Sequence, residues 1–352
     1  MTALVITPDR LRYHAMLGVG GIGAGRFFAL KGNHTLGREE SRAGHFLPNR
    51  DYCKLHIISH YVKTLLGPEF AVVPIGRVGD DQTGAALVAE MAQAGLDVRY
   101  VRVSPEAQTL YSFCFIYPDG SGGNLTTDDS ACMRLDDAGV SEALPEFERY
   151  AGRGLVLAAP EVPLAARRRL LELGNAHGFF RVASFVSAEM AEAVETGLLA
   201  QVDLLAVNLD EAAAAVRLDP AGMAPEAIVS AAVEKLSASH PGLRLSITAG
   251  RRGSWSWDGA VLAPLPPFPV QAVATAGAGD AHLAGMIAGL SAGLDLAQAQ
   301  ELASLAAAMS VTSPHTIHPD LDGESLKVFA AGLPVRLAPQ VRGLLRLEEA
   351  CR

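Results

Sequence analysis

Short apolar runs alternating with helical stretches constrain this chain more than any other feature. Phe70–Ile75, Gly154–Ala159, Leu204–Val207 and Leu243–Thr248 read as buried strands. Helical patterns occupy Gly84–Ala94, Leu164–His177, Ala188–Leu199, Pro225–Ser239, Ala281–Ala292 and Leu296–Ser310. Such alternation predicts an α/β fold, a three-layer α/β/α sandwich around a mostly parallel central sheet. Thr109–Tyr117 differs, being a β-rich run ended by the turn Pro118-Asp119-Gly120, and reads as a hairpin standing off the main sheet as a flap. The Pro-rich piece Pro264–Pro269 reads as a loop leading to one more strand. No repeat, low-complexity tract or long linker divides the chain, so residues 1–352 are expected to form a single domain.

Composition narrows the function classes. A hydrophobic share of 49% over 352 residues is ample for a core. The net charge of −9 argues against a nucleic-acid partner. No run reaches the roughly 18–20 apolar residues of a membrane helix, and Asp9, Arg10 and Arg12 stand where a signal peptide would be apolar. The expected setting is the cytoplasm, with no membrane partner. Cys53, Cys114, Cys132 and Cys351 are scattered without a C-x-x-C pair, which suits reduced thiols better than disulfides or zinc.

Thr275-Ala-Gly-Ala-Gly-Asp280 runs directly into an alanine-rich helix. A glycine-rich helix start exposes unpaired N–H groups at the positive end of the helix dipole, a ready phosphate site. The carboxylate of Asp280 falls in the same turn, where it could take the proton of an attacking hydroxyl while the N–H groups hold developing charge. These six residues taken alone fit an ordinary capped turn equally well.

Two other patterns point elsewhere. Gly18-Val-Gly-Gly-Ile-Gly23 matches G-x-G-x-x-G, with Glu39 or Glu40 downstream, as in dinucleotide-binding proteins. That motif must open a helix of ten or more residues, and Gly32-Asn33 interrupts any helix here after two turns. His56 and His60 share a helix face, but without a Glu after His56 or a third ligand they read as packing residues rather than a zinc pair.

Ile75-Gly-Arg-Val-Gly-Asp-Asp-Gln-Thr-Gly84 with Ala94-Gly-Leu-Asp97, Asn208-Leu-Asp-Glu211, Thr248-Ala-Gly-Arg-Arg-Gly253 and Ala274-Thr-Ala-Gly-Ala-Gly-Asp-Ala281 occur in that order. Together they resemble the motif series of the ribokinase-like (PfkB) carbohydrate kinases, across roughly residues 15–335. The resemblance implies a ribokinase-like sandwich with a small β-sheet lid, near residues 26–46 and 108–128, over the acceptor site. It implies an ATP-dependent kinase for an alcohol group of a sugar or sugar-like molecule. Asp280 would be the general base, and the turn at Gly277 would present the N–H groups of Ala278, Gly279 and Asp280 as the anion hole for the γ-phosphate. Asn208 and Glu211 would order Mg²⁺ through water. Thr248, Gly250, Gly253 and Ser310 would border the nucleotide. Lid edges could pair two subunits into a homodimer.

Departures concentrate on the acceptor side. Gly25 stands where the family usually carries an aspartate that grips acceptor hydroxyls, and Phe46–Lys54 replaces the family's G-G-x-x-x-N segment, leaving Asn49 as part of that contact. Ala274 replaces a usual acidic residue. Arg26, Arg38, Arg42, Arg50 and Lys54 gather near this region, either as an anion-binding subsite or as a solvated rim. The missing clamp also allows a catalytically silent relative that binds a nucleotide or metabolite. The acceptor stays open among sugar, nucleoside, sugar phosphate and other alcohols.

Overall fold

The computed structural model describes residues 2–7 and 9–347. Strand β1 (Ala15–Val19) enters the main sheet, β2 (Gly23–Leu30) and β3 (Gly44–Tyr52) leave it, and α1 (Lys54–Leu66) returns the chain to β4 (Ala71–Gly79). Helix α2 (Gln82–Gln93) and β5 (Tyr100–Ser104) follow, then the hairpin β6 (Leu110–Ile116) and β7 (Gly122–Thr126). Short helices α3 (Asp137–Ser141) and α4 (Leu144–Arg149) precede β8 (Gly154–Ala158), α5 (Leu164–Ala176), β9 (Phe180–Ala183), α6 (Ser187–Glu195) and β10 (Leu204–Asn208). Helices α7 (Leu209–Ala215) and α8 (Pro225–Ser239) lead to β11 (Arg244–Thr248), β12 (Ser254–Trp257) and β13 (Leu262–Leu265). The chain closes with α9 (Ala278–Ser291), α10 (Leu296–Ser310), α11 (Gly323–Ala331) and α12 (Pro339–Leu344).

The main sheet runs β13-β12-β11-β10-β9-β8-β1-β4-β5, parallel from β5 to β11 and antiparallel at its β12–β13 edge. Its strands alternate between two cores, as a pleat of period two requires. Met16, Leu155 and Leu157 enter the core beneath α1, α9 and α10, whereas Leu17, Val19, Val156 and Ala158 enter the one beneath α5 and α8. Helices thus cover both faces, as the alternation in sequence predicts.

A second sheet, ordered β3-β2-β6-β7, stands off the first. Its β2–β6 pair is parallel and its outer pairs antiparallel, so the 109–117 hairpin is built together with strands from residues 23–52. One face carries Phe28, Phe46 and Phe113 with ring centroids 5.1–6.0 Å apart.

Some expectations need correction. No strand lies between β13 and α9: Pro264 sits in the edge strand β13, and Pro266, Pro267 and Pro269 remove N–H donors from the stretch that follows. The 188–199 pattern breaks at Gly197, which adopts φ 69° before a short 3₁₀ turn. After Gly18–Gly23 the chain forms strand β2 rather than any helix, which removes the dinucleotide-binding reading. His56 and His60 lie on α1 as packing residues, and among the described residues no cluster of His, Cys, Asp or Glu is placed to hold a metal. Cys53, Cys114 and Cys132 are free thiols, while Cys351 falls outside the described residues.

Candidate active site

Helix α9 begins at Gly277, whose φ of 79° is left-handed and whose missing Cβ would lie 2.5 Å from the Thr316 carbonyl oxygen. Both facts demand glycine. The N–H of Ala278 donates to the Thr275 carbonyl at 3.2 Å, and that of Ala281 to Gly277 at 2.8 Å. Between them, the N–H groups of Gly279 and Asp280 have no backbone acceptor among the described residues. The space a side chain would occupy at Gly279 is open. Two donors at a helix dipole's positive end are therefore left without backbone acceptors beside the Asp280 carboxylate.

Four strand and helix ends meet this turn. Lys54, Asn208, Glu211, Thr248, Gly279 and Asp280 line one cavity. Lys54 opens α1, while Asn208 ends β10 and caps α7. The Asn208 side chain accepts from the Glu211 N–H (2.9 Å), and the Glu211 carboxylate accepts from the Asn208 N–H through Oε2 (2.8 Å). This reciprocal cap fixes both side chains. Glu211 Oε1 faces Lys54 Nζ at 3.7 Å. Thr248 ends the neighbouring β11, so parallel register delivers Asn208 and Thr248 side by side. This is the carboxyl edge of a parallel sheet, where such folds bind ligands.

Electrostatics set the protonation of the cavity. Burial pushes Asp280 up to about 6; Lys54 opposes that rise, while Asp51 and Glu211 add to it. Lys54 is itself raised: desolvation pulls it down, but the carboxylates of Asp280, Glu211, Glu161 and Glu189 outweigh that loss. Burial pushes Glu161 up to about 7, with a Cys53 hydrogen bond and Lys54 pulling the other way. Glu161 follows β8 with φ 74°, a left-handed backbone uncommon for a residue other than glycine and frequent at functional sites. Beneath the turn, burial holds the His282 imidazole neutral, at about 4.

Other expected site residues do not line this cavity. Gly253 (φ 92°) packs against the Leu265 carbonyl and closes the β11–β12 turn, and Gly250 (φ 55°) shares that turn with open space above it. Ser310 is buried and donates to the Ala307 carbonyl within α10. Asn49 donates to the Pro314 carbonyl, tying β3 to the loop after α10. Arg26 is exposed on the outer face of the small sheet, 4.0 Å above the Phe46 ring, because the pleat turns it away from Gly25. In sequence Asp51 and Lys54 are marked only by the 46–54 segment that departs from the family pattern, and Glu161 and His282 by nothing. The usable signal for Glu161 was its position just past a buried strand.

Comparison with known proteins gives the family and agrees with the fold. The family model described as pfkB family carbohydrate kinase matches residues 59–322. Ribokinase of Bacillus subtilis (strain 168) is 25% identical over 271 residues, covering 71% of this chain and 85% of that protein. Fructoselysine 6-kinase of Shigella flexneri is 42% identical over 65 residues, so the match spans only 18% of this chain and 25% of that relative's length. The crystal structure of ribokinase from Cryptococcus neoformans var. grubii serotype A in complex with ADP superposes with a TM-score of 0.74 at 19% identity, covering 89% and 98% of the two chains. The cavity at the start of α9 thus sits in a chain that belongs to the pfkB family of carbohydrate kinases, phosphotransferases whose acceptor is an alcohol group.

Proposed function

We propose that the chain is a single kinase domain that transfers the γ-phosphate of ATP to a hydroxyl of a sugar or sugar-like acceptor, with Asp280 as general base. The observation that carries this reading is the pairing, in one turn, of a recessed carboxylate with two N–H groups left without backbone acceptors, facing Lys54 across the cavity. In-line transfer needs little covalent help from the protein, so positioning and charge stabilisation supply the rate. Asp280 takes the acceptor proton as the oxygen attacks. The Gly279 and Asp280 N–H groups hold charge on the transferred group, and Lys54 balances the phosphate oxygens and keeps Asp280 ionised at neutral pH.

Magnesium fits this donor set through water. Glu211 spends one oxygen on its cap and turns the other to the cavity, and no direct cluster of ligands exists among the described residues. Bound with the nucleotide, the ion would neutralise phosphate charge, with Glu211 and Asn208 ordering its waters. The small sheet acts as a lid that excludes water from the acceptor. Its aromatic outer face supports pairing of two lids in a homodimer. No helix among the described residues is long and apolar enough to cross a membrane.

The test is ADP release from Mg-ATP with pooled sugars, nucleosides and sugar phosphates, comparing the native chain with Asp280→Asn. Acceptor-dependent release abolished by the substitution is the expected result. Silence with every pool, with ATP still bound, would replace this reading with a silent nucleotide-binding relative.

A further inference from the structure

Gly25 pairs with Asp51 across β2 and β3. A Cβ at Gly25 would run into the Ser112 hydroxyl, lie 2.7 Å from the Ser112 carbonyl oxygen, and lie 3.1 Å from the Asp51 Cβ. Space that a side chain at position 25 would need is therefore held by Ser112 and Asp51. Asp51 is only 9% exposed. Oδ2 accepts from Ser112 Oγ (3.0 Å) and Cys114 Sγ (3.1 Å), and Oδ1 accepts from Thr316 Oγ1 (3.3 Å). All three donors are neutral, and no cation pairs with Asp51 among the described residues. A carboxylate offers about four lone-pair sites, so one stays free for a ligand.

Thr316 also supplies the carbonyl that Gly277 must clear, so Asp51 is held against the same segment that borders the start of α9. The charges of Asp51 and Glu161 are felt at Asp280 and Lys54 respectively, so these groups share one neighbourhood. Within it Lys54 feels the carboxylates of Asp280, Glu211, Glu161 and Glu189, and Asp51 adds its charge at Asp280 and Glu161. The arginines near it in sequence are engaged elsewhere. Arg50 pairs with Glu90 on α2 at 2.6 Å, Arg42 with Glu40 at 2.6 Å, Arg26 lies over Phe46, and Arg38 is exposed. Of the sequence's basic group, only Lys54 reaches the cavity. A phosphorylated acceptor would meet excess negative charge, whereas hydroxyl groups would meet carboxylate acceptors.

Building on the kinase reading, we propose that Asp51, set beside Ser112 where Gly25 leaves room, binds hydroxyl groups of an uncharged polyol acceptor, and that the acidic lining excludes sugar phosphates. The specificity contact that β2 lacks comes from the next strand.

Calorimetric titration of the native chain, saturated with a non-hydrolysable ATP analogue, against ribose and fructose and then ribose 5-phosphate and fructose 6-phosphate tests this directly. The uncharged sugars should bind at least about 10-fold tighter than their phosphates, and Asp51→Asn should weaken them about 10- to 100-fold while leaving nucleotide affinity unchanged. Ser112→Ala, which keeps the Asp51 charge, should retain the selectivity and serves if Asp51→Asn fails to fold. Equal or tighter binding of the phosphates, unchanged sugar affinity in Asp51→Asn, or no binding of either sugar would each overturn the proposal. Sugar binding without turnover in the parallel ATP reaction would sink the kinase reading and leave this subsite standing.

Discussion

At the helix end of the cleft, Gly277, Gly279 and Asp280 lie within one turn, and Asn208 and Glu211 cap each other three residues apart. At the sheet end, Gly25, Asp51, Ser112, Glu161 and Thr316 converge from five separate stretches of chain. Local geometry builds the first region: a glycine-started helix and a capping box require particular residues at fixed short spacings. Strand pairing builds the second, where the face on which a residue lands depends on the register of its neighbours. On the proposed reading, the chemistry common to all phosphoryl transfer would occupy the local region, while the contacts that choose an acceptor would occupy the non-local one.

The sharpest way to break that division is Asp280→Asn, expected to lower turnover about 10²- to 10⁴-fold while nucleotide binding, followed by calorimetry, persists. Surviving turnover would move the base out of the helix end. Next in size is Lys54→Met, expected to cost about 10- to 100-fold in kcat. Because Lys54 holds Asp280 below the value burial alone would set, the same change should shift the pH profile. In the native chain kcat/KM should rise as pH climbs through about 6, where the base loses its proton, and in Lys54→Met that limb should move upward. An unmoved limb would assign the titration to another group.

A smaller effect appears in stability. The folded state raises Asp280 from 3.8 to about 6, so it binds a proton that the unfolded chain has already released. This contribution is fully present below pH about 4 and is lost as pH rises through about 6. Asp280→Asn should therefore gain about 1–3 kcal/mol relative to the native chain at pH 8 and little at pH 4, as read from denaturant melts. Equal differences at both pH values would contradict the raised value. The smallest expected change is Arg26→Ala. Its side chain lies over Phe46 on the outer face, so acceptor kcat/KM should shift by no more than about 2-fold. A larger loss would place part of the acceptor site on that face.

Much of the layout was legible before any coordinates. The alternation of apolar runs and helical patterns anticipated β8, β10, β11 and their helices because buried strands and amphipathic helices carry their periods in the sequence. Strand β2 was hidden behind a glycine motif that fits a helix start, and the stretch before α9 suggested a strand that its prolines preclude. Among site residues, Asp280 and the Asn208–Glu211 cap were readable from spacing. The contacts of Ser310 and Arg26 were not readable, since helix rotation and sheet pleat decide which way they point.

By itself, then, the sequence determined the α/β layering, the glycine-started first turn of α9 and the carboxylate within it, because each rests on interactions among residues a few positions apart. Only the tertiary structure decided that Ser112 and Asp51 crowd the space beside Gly25, that Lys54 rather than the nearby arginines enters the cavity, and that Glu161 lies within reach of its charge. Those outcomes depend on strand register, pleat and the crossing of distant segments, where one residue of slip turns a buried carboxylate out to solvent.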